Sequence, residues 1–294
     1  MRLGLAGIGL MGKPIARRLL EAGHELSVWS RTPQHSIALA AYGAYYCNTL
    51  EELAERSPII LLCLADEAAV LAVTLAEQGL KPSLRAEHLI VDLSTISPGT
   101  TRQLAQTLQA HCGSQWVDCP MSGGVTGAEQ GRLILLAGGT EAAVARLHPW
   151  IGAFSQRLTH LGPVGSGQMT KLCNQLIVAA NSLLIAEAVT LAGHAGVDAG
   201  KLAAALTGGF ADSLPLQILA PRMASHCHEP LQWRVATLHK DLHYALQTAH
   251  DLHLSLPVAE KALQQLATAL KSWSNDDLSR IIDLYPDFLP PDVH

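Results

Sequence analysis

Arg2-Leu3-Gly4-Leu5-Ala6-Gly7-Ile8-Gly9-Leu10-Met11-Gly12 is the stretch on which the reading of this chain turns. A short apolar run, 2–6, has the length of a buried strand, and residues 15–22 beyond it repeat apolar side chains at helical spacing. Between them stands Gly-x-Gly-x-x-Gly. The first glycine permits a tight turn, the second lets a pyrophosphate approach the backbone, and the third lets helix and strand pack closely. The first N–H groups of the helix would face the anion. In this strand-to-helix context the spacing favours a dinucleotide loop over a merely tight turn.

Outward from that loop, candidate strands at 25–29, 59–64 and 88–93 alternate with helical stretches, a βαβ rhythm that predicts a parallel sheet. Further candidate strands at 115–118, 132–137 and 157–160 are expected to extend the same sheet. Leu161-Gly162-Pro163-Val164-Gly165-Ser166-Gly167 then breaks the pattern. The expected fold class is α/β: a Rossmann-type, doubly wound parallel sheet over 1–163, then an all-α domain over 164–294 built on one long helix. That helix, near 168–192, is apolar nearly all round and is expected to be covered on every side, by the other helices and by a second subunit. A homodimer or homotetramer is expected, and the tail 286–294 is expected to fray.

Composition narrows the function. With 49% apolar and 15% charged residues over 294 positions, the chain can build two cores. A net charge of −5 without basic runs argues against nucleic acid as a partner. Polar residues inside the long apolar helix argue against a membrane span. The six cysteines lack metal-ligand spacing and read as reduced thiols of a cytoplasmic protein, mostly in the core. No metal is expected, because the fourteen histidines form no ligand-like constellation along the sequence.

Four segments carry candidate chemistry. The second strand ends Trp29-Ser30-Arg31-Thr32 rather than in an acid, which suits the 2′-phosphate of NADP better than the free ribose of NAD. Ser122-Gly123-Gly124 follows a strand with a hydroxyl and unhindered amides. That is either a nest for a small carboxylate or an ordinary loop. Lys171, Asn174 and Gln175, three and four apart, share one face near the start of the long helix, where a lysine is chemically conspicuous and could reach a cleft at the domain boundary. His239-Lys240-Asp241-Leu242 adds a cation beside a carboxylate, which alone reads as a surface charge pair.

Taken in order and spacing from Met1 to about Leu284, these segments resemble the β-hydroxyacid dehydrogenase family, in its tartronate semialdehyde reductase branch. Lys171-Leu172-Cys173-Asn174-Gln175, Gly208-Gly209-Phe210-Ala211-Asp212-Ser213 and Ala220-Pro221-Arg222-Met223 are similar to that branch. Ala65, where the family usually has Pro, is a departure. The resemblance implies hydride transfer between NADP (favoured) or NAD and a small carboxylate-bearing aldehyde or hydroxyacid. Lys171 is then the acid/base, with Asn174 and Gln175 catalytic beside it and Ser122, Gly123 and Gly124 binding the carboxylate. Gly7, Gly9, Leu10, Met11, Gly12, Ser30, Arg31, Thr32, Leu64, Ala65, Thr95 and Lys240 would line the cofactor. The retained Lys171 weighs against an imine reductase, and Lys171, Ser122 and Lys240 together weigh against a catalytically silent cofactor-sensing protein.

Overall fold

The computed structural model describes residues 1–285; the tail expected to fray lies outside the described residues. Six parallel strands, β1 (Arg2–Ala6), β2 (Glu25–Trp29), β3 (Tyr45–Tyr46), β4 (Ile59–Leu62), β5 (Leu89–Asp92) and β6 (Gln115–Asp118), form one sheet in the order β3-β2-β1-β4-β5-β6. Helices α1 (Gly12–Glu21), α2 (Pro33–Ala40), α3 (Leu50–Arg56), α4 (Glu67–Leu75) and α5 (Pro98–Cys112) connect them. Strand periodicity splits each run between two faces. Leu3, Leu5, Ile59 and Leu61 enter one core with Ile15 and Leu19 of α1, while Ala6, Ile60 and Leu62 enter another with Leu53, Leu104 and Leu108. Every residue of β4 and β5 is buried, as a sheet covered on both sides requires.

The expectation that all later strands extend this sheet is corrected. Only β6 does. The chain then forms β7 (Met121–Ser122), α6 (Gly124–Glu129), β8 (Leu133–Ala137), α7 (Glu141–Ala145), α8 (His148–Ile151) and β9 (Ser155–His160), with β7, β8 and β9 in a second sheet. The segment 123–132 between β7 and β8 is shorter than the dozen or so residues of a parallel crossover, so β8 returns antiparallel to β7. A bridge between Asp118 and Gly138 keeps the second sheet against the end of β6.

The turn after β9 leads into α9 (Ser166–His194), whose start is built around Asp118. This carboxylate, wholly buried, accepts hydrogen bonds from the amides of Gly165 (2.7 Å) and Gln168 (2.8 Å). Two of the helix's first amides thereby find an acceptor, and negative charge faces the positive end of its dipole. A Cβ on Gly167 would lie 2.2 Å from the Leu136 carbonyl, and one on Gly138 would lie 2.6 Å from the Asp118 carboxylate. Only glycine lets the three segments approach this closely.

The chain divides into two compact units, Met1–Lys171 and the remainder from Leu172, so the first turns of α9 belong with the sheets. In the second unit α9 continues beside α10 (Leu202–Leu206), α11 (Leu214–Ala224), α12 (Val235–Asp251) and α13 (Pro257–Trp273), followed by a 3-10 helix, Leu278–Leu284. Its core joins Ala179, Ala186 and Val189 to Leu238, Leu242 and Leu266. Within the single chain α9 is covered only in part, the remainder being the share expected of a second subunit. Only 33% of its most apolar window is buried, and Ile177, Leu184 and Leu191, seven apart, remain exposed in the single chain. The face of α9 bearing Ala179, Ala186 and Val189 joins that core, and the stripe of Ile177, Leu184 and Leu191 lies outside it.

Burial pushes the Asp118 carboxyl up to about 6 from its ordinary 3.8, against the opposing pull of its amide donors. The folded state thus holds this proton more tightly than the unfolded state does. The corresponding stability is fully present below pH 3.8 and is lost as pH rises through about 6. Between pH 4 and pH 7 we expect wild type to lose on the order of 3 kcal/mol relative to Asp118→Asn, read from urea unfolding of both at each pH. Equal pH dependence in the two proteins refutes this account.

Candidate active site

The glycine loop closes directly on β1. Gly7 has φ +105°, and a Cβ there would lie 2.3 Å from the Cys63 carbonyl at the end of β4; one on Gly12 would lie 2.0 Å from the Gly7 carbonyl. Gly9 has nothing within 4 Å. The outer glycines are therefore demanded by the fold, whereas the middle one leaves open backbone where a ligand can approach. Leu10 is exposed, and Met11, at the start of α1, makes no side-chain cap. These features fit a dinucleotide pyrophosphate at the β1–β4 crevice, where strand order reverses. At the end of β2, Ser30 is half-buried and Arg31 and Thr32 are exposed, Thr32 preceding α2.

The strand ends beside this crevice are tied together. The Leu64 amide donates to Ser94 Oγ (3.0 Å), and the Ser94 amide donates to Asp92 Oδ1 (2.9 Å). The Gln168 side-chain amide, on the first turn of α9, donates to the Ser94 carbonyl (2.8 Å) and accepts from the Ile96 amide (3.2 Å). Gln168 thus holds the loop bearing Thr95, with Leu64 and Ala65 alongside. Lys171, three residues on, is 7% exposed and shares a buried stripe of α9 with Gln168 and Gln175.

The second unit contains a further polar chain. Asn174 Nδ2 donates to Gln175 Oε1 (2.8 Å), Gln175 Nε2 donates to Asp241 Oδ2, and Lys240 Nζ lies 3.2 Å from Asp241 Oδ1 and 5.5 Å from the centre of the Tyr244 ring. The reading of Lys240 and Asp241 as a surface pair is corrected: Asp241 is 2% exposed on the inner face of α12, at helical spacing with Leu238, Leu242 and Ala245. One carboxylate links the predicted residues of α9 to the predicted lysine of α12. Asp241, Gln168 and Asp118 were not among the expected site residues: Gln168 and Asp118 have no local motif, and Asp241 reads from the sequence only as the surface partner of Lys240. The helical period that buries Leu238 and Leu242 was the signal available for Asp241.

Ser122 lies at the end of β7, opposite Ile134 of β8. Gly123 (φ +126°) and Gly124 (φ +62°) are exposed and adopt backbone conformations that other residues rarely take. Two other expectations change in the folded chain. All six cysteines are free thiols, but only Cys47 and Cys119 are buried while Cys173 and Cys227 are exposed. The absence of a histidine constellation is corrected as well, because folding brings His226 and His228 to Asp283, a proximity that sequence spacing cannot reveal.

The glycine geometry separates two substitutions. Gly12→Ala meets a backbone carbonyl and should lower the thermal midpoint by at least about 4 °C. Gly9→Ala should leave the midpoint within about 2 °C. It should nevertheless weaken NADPH or NADH binding about tenfold or more, measured by fluorescence titration. Unchanged cofactor affinity in Gly9→Ala would remove the middle glycine from the site.

Comparison with known proteins agrees with this geometry. Residues 2–162 match the family described as the NAD binding domain of 6-phosphogluconate dehydrogenase, and residues 165–285 match that described as NAD-binding of NADP-dependent 3-hydroxyisobutyrate dehydrogenase. The chain is 38% identical over 257 residues to 2-hydroxy-3-oxopropionate reductase of Escherichia coli, covering 87% of each chain. It is 31% identical over 291 residues to mitochondrial 3-hydroxyisobutyrate dehydrogenase of Drosophila melanogaster, covering 96% of this chain and 88% of that one. The solved structure of Mycobacterium tuberculosis 3-hydroxyisobutyrate dehydrogenase with L-serine superposes with a TM-score of 0.88 at 25% identity, over 97% of this chain and 99% of that one. A parallel sheet with an open dinucleotide loop, a helix carrying a buried lysine, and matches along nearly the whole chain lead to one conclusion: this protein belongs to the 3-hydroxyisobutyrate dehydrogenase, or β-hydroxyacid dehydrogenase, family of NAD(P)-dependent enzymes acting on CH–OH groups.

Proposed function

We propose that this enzyme reduces a small aldehyde bearing a carboxylate, with tartronate semialdehyde to glycerate as the favoured pair and NADPH preferred to NADH. Lys171 carries the reading. It is 7% exposed near the start of α9, on the stripe it shares with Gln168 and Gln175, at the position to which the family resemblance assigns the acid/base group. The likeness to 2-hydroxy-3-oxopropionate reductase supports the substrate. The cofactor preference is supported by Arg31 in place of an acid, and by a structurally similar protein, Psf3, solved with NADP+ and 2-OPP (TM-score 0.88, 25% identity).

The nicotinamide, when bound, supplies or accepts the hydride. Gly7, Gly9, Leu10, Met11 and Gly12 would hold the pyrophosphate, and Ser30, Arg31 and Thr32 would hold the 2′-phosphate. Leu64, Ala65 and Thr95 would confine the rest of the cofactor, and Lys240 is the further residue that the family resemblance assigns to it. Ser122 and the amides of Gly123 and Gly124 grip the substrate carboxylate. Lys171 Nζ delivers a proton to the oxygen that becomes the alcohol, and its positive charge stabilises that oxygen while the proton is in flight. Asn174 orients the substrate. Gln175, with its amide engaged by Asp241 and Asn174, fixes the helix face on which both act.

Lys171→Ala should lower turnover by at least about 10² with cofactor affinity nearly intact. Activity within a few-fold of wild type removes Lys171 from the chemistry. Arg31→Ala should narrow the NADPH preference by about 1.5 to 3 kcal/mol, roughly 10- to 100-fold, in competition binding. Tighter NADH binding by the unmodified protein overturns the cofactor assignment. Across short semialdehydes, turnover should fall steeply when the acid is replaced by an amide or a methyl ester. Propanal turned over as fast as the acid-bearing aldehydes would refute a carboxylate site and with it the role of Ser122; no turnover of any of them with either cofactor would favour a cofactor-sensing protein.

A further inference from the structure

The loop after α11 bends back on itself and brings two histidines to the 3-10 helix 278–284. One ligand-type atom from each of His226, His228 and Asp283 lies within 4.8 Å of the other two. His226 Nδ1 stands 3.4 Å from Asp283 Oδ1, close to the roughly 3.3 Å that separates two donors on a tetrahedral zinc ion with bonds near 2.05 Å. His226 occupies this place with φ +46°, a left-handed conformation unfavourable for a residue with a Cβ.

The hydrogen bonds around His228 fix which nitrogen it offers. Ser279 Oγ donates to Asp277 Oδ1 (2.7 Å), so in its remaining contact it accepts a hydrogen bond from His228 Nδ1–H (2.8 Å). Nδ1 then carries the hydrogen and Nε2 the lone pair. Nε2 is buried and has no hydrogen-bond partner among the described residues. An imidazole whose far nitrogen is held by a hydroxyl–carboxylate relay is the usual arrangement of a metal-ligating histidine. The two neighbouring guanidinium groups do not leave excess positive charge: Arg222 pairs with Asp277 (3.2 Å), and Arg280 pairs with Asp276 (3.6 Å) and with the outer oxygen of Asp283 (3.0 Å).

We propose that His226, His228 and Asp283 form a site for a borderline divalent transition ion of the zinc class, with a fourth position for water, which fastens the loop after α11 to the 3-10 helix. Two imidazoles and one carboxylate suit such an ion and not a hard cation such as magnesium.

The test uses the full chain, stripped with a chelator and titrated with Zn²⁺ against a chromophoric competitor, with Mg²⁺ as control. One zinc per chain is expected, together with a rise in thermal midpoint and, with Co²⁺, the visible absorption of a tetrahedral site. His228→Ala and Asp283→Asn should each abolish these signals, and Ser279→Ala, which keeps all three ligands, should weaken zinc about 10- to 100-fold. Should a ligand variant fail to fold, the Ser279→Ala affinity shift decides alone. Absence of zinc binding by wild type overturns the proposal, and so does equal affinity in wild type and the variants, which would place the ion on other histidines.

Discussion

A single buried carboxylate sets where the long helix begins. Asp118 ends β6, accepts the first amides of α9, and is enclosed by Gly138 and Gly167, which leave no room for a methyl group. Three requirements meet in it. The sheet must terminate in an acceptor, the helix must start with its amides satisfied, and the intervening backbones must be bare. Because a helix has a fixed rise and turn per residue, placing its first turn places the side chains of the turn that follows. Lys171 owes its position to this start, about one turn earlier.

The stripe Gln168–Lys171–Gln175 gives the helix a polar seam through apolar surroundings. Buried amides are tolerated only when their hydrogen bonds are met, and each amide here binds a different partner set: Gln168 the loop after β5, Gln175 the carboxylate of Asp241. The lysine between them stands on a helix face whose rotation is fixed on both sides. The position of the lysine thus depends on a neighbour with no role in the proposed chemistry, and a change at Gln168 would disturb the turn that carries it.

Much of this was legible in the sequence because the signals were local. The glycine spacing and the short apolar runs of β1, β4 and β5 each reside within a dozen residues, and the structure follows them to within a residue or two at most strand ends. What escaped was decided by partners far along the chain. Residues 132–137 and 157–160 have the pattern of strands but not the information that a short connection would send them into another sheet. The apolar composition of α9 could not disclose how many faces its neighbours would cover. Asp241 beside Lys240 looked like a solvated pair, since burial on the inner face of α12 depends on what packs there. His226 and His228 meet Asp283 only after α12 and α13 have intervened.

The two exposed glycines with positive φ after β7 have a different significance from those that hold the first sheet together. Gly7, Gly12, Gly138 and Gly167 are sterically locked, whereas Gly124 faces open space, and Gly123 meets first a leucine methyl at 3.2 Å. The rim that would grip the substrate is therefore built on backbone that can be reshaped at little expense to the core, while the lysine proposed to deliver the proton stands in a helix that cannot. Such a partition makes substrate preference the evolvable property of the scaffold and the acid–base step its constant one. Laboratory selection for new oxo-acids should accordingly accumulate changes around residues 122–126 long before it touches α9.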